Sequence, residues 1–202
     1  ADLYLERERI EMLADRIVEY DLAIMENIGR RFPGRIHGFS FSDDWGTEQA
    51  LFINPTLWDE FFKPRYRRLF AAAKDWGWHV IMHSCGHVNA IIDSLIDIGL
   101  DVINLQQPRA LGIEEIGRRF RGRICFLSLC DIQHTLPFKG RDEITAEAEL
   151  LLEHWATPEG GFILGDYGDP NAIGVSMEKK RWMLEAFQAA DPWRKAAAGY
   201  GA

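Results

Sequence analysis

The chain has 202 residues, enough to bury a full core, and its 47% apolar and 27% charged content is that of an ordinary globular domain. A net charge of -8 argues against nucleic acid as a partner, since phosphate binding needs a concentrated basic face. No apolar run approaches the roughly 20 residues of a membrane helix, and three cysteines (Cys85, Cys125, Cys130) make no disulfide framework; a single cytoplasmic domain over 1–202 is expected.

In chain order, residues 2–31 read as one long amphipathic helix, with Ile10, Leu13, Ile17, Ile24 and Ile28 at helical spacing. FPGR breaks it, and 37–46 read as a strand ending in Asp43 and Asp44. A helix is predicted over 54–77, capped by Asn54, with Pro55 in its first turn and a kink or split at Pro64. Its Lys63, Arg65, Arg67 and Arg68 read as a solvated face. Strands follow at 78–85, 101–107, 123–131 and 160–166, separated by helices at about 88–98, 112–122 and 141–156; a last helix covers 176–190 and AAAGYGA frays. Alternation of this kind, with nearly continuous apolar strands, means a parallel sheet with helices outside. No GxGxxG or P-loop follows any strand.

All five strands start apolar and finish polar: Asp43-Asp44, His83-Ser84-Cys85, Gln106-Gln107, Cys130-Asp131 and Gly165-Asp166. In a parallel α/β sheet these ends share one face, where such folds place their chemistry. Asp and Ser there can also be caps, and Asp44, Asp131 and the Gln106-Gln107 pair each have that reading. In MHSCGHV, side-chain alternation puts His83 and Cys85 on one side of their strand, which suits two ligands of a borderline-soft ion such as zinc. Gly86 lets a backbone approach closely.

The segments FSDDWGTEQALFINPTLWDEFFKPRYRRLF, HVIMHSCGHVNAIIDSLIDIGLDVINLQQ, SLCDIQHTLPF and GGFILGDYGD, in that order, resemble the uroporphyrinogen decarboxylase superfamily. The similarity covers roughly 35–190 and is nearest to its corrinoid-dependent methyltransferases and O-demethylases. It implies a parallel (β/α) TIM barrel, here incomplete with about five βα units and lacking the N-terminal part. It also implies zinc on His83 and Cys85, and methyl exchange between a small methoxy compound or thiol and a corrinoid (cobalamin) on a partner protein. Only His83 and Cys85 carry over as ligands; Asp43, Asp44 and Asp166, from their strand ends, are the candidates for acid, base or a further ligand. Gln49, Asn104, Gln106, Asp131 and Tyr167 position substrate. Related zinc methyltransferases carry a third, cysteine ligand at the late strand end, where this chain reads GDYGD, so the third ligand is sought among Asp166, Cys130 and the Asp43-Asp44 pair. Alternatives are a metal-free lyase of the same superfamily and a non-catalytic barrel fragment. An open sheet with uncovered edges is expected to self-associate as a homo-oligomer.

Overall fold

The computed structural model describes residues 2–191. Five parallel strands form one sheet in chain order: β1 (Gly38–Ser42), β2 (His79–His83), β3 (Val102–Leu105), β4 (Cys125–Ser128) and β5 (Phe162–Leu164). The helices are α1 (Asp2–Leu5), α2 (Arg7–Arg31), α3 (Pro55–Phe61), α4 (Lys63–Asp75), α5 (Ile92–Asp97), α6 (Pro108–Leu111), α7 (Ile113–Phe120), α8 (Arg141–Trp155) and α9 (Met177–Ala190), with a 3-10 turn at Pro170–Ile173. The fold is thus α/β, with the βα alternation of a barrel. The described sheet does not close, because β1 and β5 each pair with a single neighbour. No described helix is long and apolar enough to cross a membrane.

Strand alternation divides the sheet into two unlike faces. On β2, Val80 and Met82 are fully buried, whereas Ile81 and His83 are only half-buried. The buried side carries one contiguous core of Phe41, Phe70, Met82, Ile103, Phe126 and Trp155, the last two stacked with centroids 4.5 Å apart. On the opposite side the register aligns Ser42, His83, Asn104, Leu127 and Ile163 in one row across all five strands. This row lies at the last or next-to-last residue of every strand, so the loops above it converge over its polar half.

Helix boundaries follow local chemistry. Asn54 caps α3 by accepting the Thr56 N–H at 2.8 Å. The predicted 54–77 helix splits at Phe62, because Pro64 has no N–H to continue the ladder. The 2–31 helix is interrupted at Glu6, and its packed stripe is Val18, Met25 and Gly29 rather than Leu13 and Ile17, which are more than half exposed. Gly29 is what permits this choice, since a Cβ there would lie 2.5 Å from the Trp76 ring. The helix expected over 88–98 begins only at Ile92; Asn89 instead turns inward and donates to the Leu111 carbonyl at 2.8 Å. The basic cluster is not a solvated face throughout. Lys63 and Arg65 are largely buried and paired with Asp97 (3.6 Å) and Asp15 (2.9 Å), with the Arg65 guanidinium over the Phe61 ring. Their long stems cover apolar surface while the heads find acids. The AAAGYGA tail lies outside the described residues.

Candidate metal centre

The loop after β1 and the loop after β2 are clamped together by backbone. Trp45 N–H donates to Ser84 Oγ at 3.0 Å, and His87 N–H donates to the Thr47 carbonyl at 2.6 Å. Gly46 and Gly86 meet at the crossing. Gly86 has φ +78°, and a Cβ on it would fall 2.3 Å from the Gly46 carbonyl. Any side chain there would push the loops apart. A third loop joins through Gln107, whose buried Oε1 accepts the Gly86 N–H at 2.6 Å.

Within this clamp Asp44, His83 and Cys85 converge, with one potential ligand atom from each lying within 4.8 Å of the others. Cys85 Sγ is 3.4 Å from His83 Nε2, and His83 Nε2 is 3.5 Å from Asp44 Oδ1. The same Asp44 oxygen accepts the Cys85 N–H at 2.9 Å. On its other side the imidazole meets Asn104, with Nδ1 2.6 Å from Oδ1. Partial burial, and secondarily the Asp44 carboxylate, push the Cys85 thiol up to about 11, so without a bound cation it is protonated at neutral pH. No lysine or arginine pairs with Asp44 among the described residues. A nitrogen, a sulfur and an oxygen donor therefore share one small volume on the open side of the sheet, a donor set that fits zinc.

A family model, uroporphyrinogen decarboxylase (URO-D), matches residues 40–188. The chain belongs to the uroporphyrinogen decarboxylase family. A solved methyltransferase from Methanosarcina mazei superposes with a TM-score of 0.70 at 16% identity, over 93% of this chain and 51% of the neighbour. At that identity the likeness speaks for the fold, and the chain spans about half of the neighbour's length. No curated protein matches.

The remaining candidates in this URO-D chain are placed less uniformly. Asp43 turns away from Asp44, as alternation requires, and accepts the Tyr66 hydroxyl of α4 at 2.6 Å. Tyr66 in turn accepts from Trp45 Nε1 at 3.1 Å. Asp43, Tyr66 and Trp45, with Asp21 and Arg65, line a cleft of about 220 Å3 beside α2, separate from the cluster. Burial raises the Asp43 carboxyl above its ordinary value, the Tyr66 bond opposing and Asp44 adding to the shift.

Asp131 is fully buried, and its oxygens are taken by the Gln133 and His134 N–H groups (2.9 and 2.7 Å) and by Arg109 N–H (3.1 Å). It is a loop cap, not an open substrate contact. Cys130 is fully buried with its thiol against the Ile144 carbonyl of α8, on the helix side. Asp166 is exposed and paired with Lys180 at 2.6 Å, outside the cluster. Tyr167 is half-buried against the core beside it. Gln49 sits on the exposed loop after β1, and Gln106 is half-buried at the end of β3. Asn104 holds the His83 ring rather than facing substrate through that oxygen. Gln107 follows the capping reading of the Gln106-Gln107 pair, since it satisfies the Gly86 N–H of a neighbouring loop. Tyr66 is not marked by the sequence, because nothing local points to a helix tyrosine 23 residues away as the partner of Asp43.

Proposed function

We propose that this chain carries the metal centre of a URO-D family methyltransferase, in which Asp44, His83 and Cys85 hold zinc. The methyl group moves between a small methylated substrate, a methoxy compound or a thiol, and a corrinoid on a separate protein. The observation that carries this reading is the convergence of the three donor atoms within 4.8 Å. Burial and the Asp44 carboxylate disfavour the Cys85 thiolate, and a divalent cation on the same atoms would stabilise it. Bound zinc would supply Lewis-acid chemistry toward a substrate oxygen or sulfur in its open fourth position.

The protein's own share is positional. Asp44 ties the cluster to the Cys85 backbone, Asn104 holds the imidazole, and Gly86 with Gln107 keeps the three loops closed. Ser42, directly opposite His83 in the register, lies on the open face where a substrate would approach. Gln49 and Gln106 are the amides left on the surrounding loops for neutral hydrogen bonds to it. The methyltransferase name of the fold neighbour points the same way.

The test is metal content followed by transfer. Protein prepared with added zinc is expected to retain about one ion per chain. Loss is expected in His83→Ala and Cys85→Ala. Cobalt(II) in its place should give a thiolate charge-transfer band that vanishes with Cys85. Methylcobalamin and a small thiol then test demethylation of the corrinoid. Zinc retained equally by the wild type and both variants, or by none of them, overturns the reading.

A further inference from the structure

We infer that Asn104 fixes the tautomer of His83, so that the ring proton resides on Nδ1 and the Nε2 lone pair faces Cys85 and Asp44. The consequence for metal rests on the zinc reading above; the tautomer itself does not. The argument starts from a group that cannot change role. The Leu127 main-chain carbonyl only accepts, and it takes the Asn104 Nδ2–H at 3.0 Å. That bond orients the amide, because a flipped amide would set Oδ1 against the Leu127 oxygen. Oδ1 therefore faces His83 Nδ1 at 2.6 Å. Oδ1 also only accepts, so Nδ1 must carry the proton. A neutral imidazole has one proton, which leaves Nε2 unprotonated. Nε2 is the nitrogen 3.4 Å from Cys85 Sγ and 3.5 Å from Asp44 Oδ1.

The relay runs straight across the sheet. His83 is the register partner of Asn104, and Asn104 is the register partner of Leu127. Each member is held by strand backbone, so the polarity of a β4 carbonyl is transmitted to a ring nitrogen on β2 through one side-chain amide. The opposite tautomer would gain an Nε2–H donor toward Asp44. It would also bring two lone pairs together across the shortest contact of the relay, 2.6 Å, inside a half-buried site. Losing that bond and creating the repulsion costs more than one partly exposed contact at 3.5 Å returns. Asn104 is thus a positioning residue, and it presents His83 as a ligand before any ion arrives.

The test is multiple-bond 1H–15N NMR of the His83 ring in the full, metal-free chain in mildly alkaline buffer, with His83→Gln to assign the signals. The expected wild-type spectrum has a pyrrole-type Nδ1 and a pyridine-type Nε2. Asn104→Asp gives up the N–H to the Leu127 carbonyl, but its carboxylate can only accept toward the ring, so the proton is still expected on Nδ1. Asn104→Leu is expected to shift it toward the Nε2–H form and to lower zinc affinity about 10–100-fold, with Asn104→Asp within a few-fold of wild type. A wild-type Nε2–H ring, or a pattern unmoved in Asn104→Leu, overturns the inference whether or not zinc binds. If the tautomer is as inferred but the wild type binds no zinc, the inference stands and the metal reading fails. Circular dichroism of both variants separates loss of fold from loss of orientation.

Discussion

Asp44 Oδ1 accepts the Cys85 N–H at 2.9 Å while lying 3.5 Å from His83 Nε2. One carboxylate oxygen thus ties the β1 loop to the β2 loop and completes the donor cluster. The two tasks separate by substitution. Asp44→Asn keeps an acceptor for the Cys85 amide but removes the charge. Its thiol is expected to titrate below the wild-type value of about 11, since a negative neighbour that disfavours thiolate has gone. The pH profile of iodoacetamide alkylation reads this directly. Asp44→Ala removes both tasks, and zinc affinity is expected to fall by about a hundredfold or more.

Zinc uptake should be linked to a proton. The Cys85 thiol is raised to about 11, so at neutral pH binding must displace its proton. Affinity is therefore expected to climb about tenfold per pH unit from neutrality upward and to level off near that value. Calorimetry in buffers of different ionisation enthalpy should show about one proton released per ion. A pH-independent affinity across neutrality would exclude the thiol as a ligand.

Gly86→Ala tests the clamp. The position combines φ +78° with backbone atoms of Gly46 and Thr47 at 2.3–2.4 Å from an added Cβ. Neither is a flexible side-chain tip, so the loops must move. A loss of about 2 kcal/mol or more is expected in chemical denaturation, together with loss of zinc binding. Gly168→Ala, which meets nothing within 4 Å, is the matched control with little effect.

Much of this arrangement is legible in the sequence because strands have a period of two. His83 and Cys85 must share a side, and five polar strand ends must share a rim. The same rule separates Asp43 from Asp44, but it does not say which of the two faces the open side. That depends on Tyr66, which reaches Asp43 from α4, and on Ser84, which pins the Trp45 amide. The roles of Asn104 and Gln107 are equally non-local. An amide at a strand end reads as a substrate contact or as a loop cap until its neighbours are known, and here the neighbours are His83, the Leu127 carbonyl and Gly86. Helix patterning on α2 holds at Ile28, which packs against the core, but fails at Leu13 and Ile17, because Gly29 and Trp76 select a stripe rotated from that face. Composition could not show that Lys63 and Arg65 are largely buried beside acids from distant segments.

Asp43 should act on stability rather than on metal. Its carboxyl is raised from 3.8 chiefly by burial. An acid whose folded value lies above its unfolded value binds more protons when folded, so stability falls as pH rises through that interval. Asp43→Asn keeps an oxygen for the Tyr66 hydroxyl and removes the buried charge. It is expected to be more stable than wild type at neutral pH, with the difference disappearing below pH 3.8. Urea denaturation at the two pH values decides this; a variant less stable at neutral pH would mean that the charge itself is needed by Tyr66.

The β4 loop should prove structural although it ends in a cysteine and an acid. Asp131 is fully buried with both oxygens occupied by main-chain N–H groups, and its own N–H donates to Glu147 Oε1 at 2.6 Å. Glu147 is buried on α8, accepts the Thr135 hydroxyl at 2.8 Å and forms an ion pair with Arg109. These four side chains fasten the β3 and β4 loops to α8. The arrangement has no oxygen left for a ligand and none within the Asp44–His83–Cys85 group. Removing Glu147 leaves the buried Asp131 N–H and Thr135 hydroxyl unmatched, while Arg109, half exposed, can turn to water. Glu147→Ala is accordingly expected to cost about 1–3 kcal/mol for each buried donor left unmatched, and Asp131→Ala about 0.5–2 kcal/mol as a lost cap. Zinc affinity of whatever folded protein remains should match wild type within about twofold, because neither residue touches the cluster or the relay that orients His83. Calorimetric zinc titration below each variant's unfolding transition reads this. A large loss of affinity in folded Asp131→Ala would place the β4 loop inside the site and require Asp131 to exchange its backbone partners on binding.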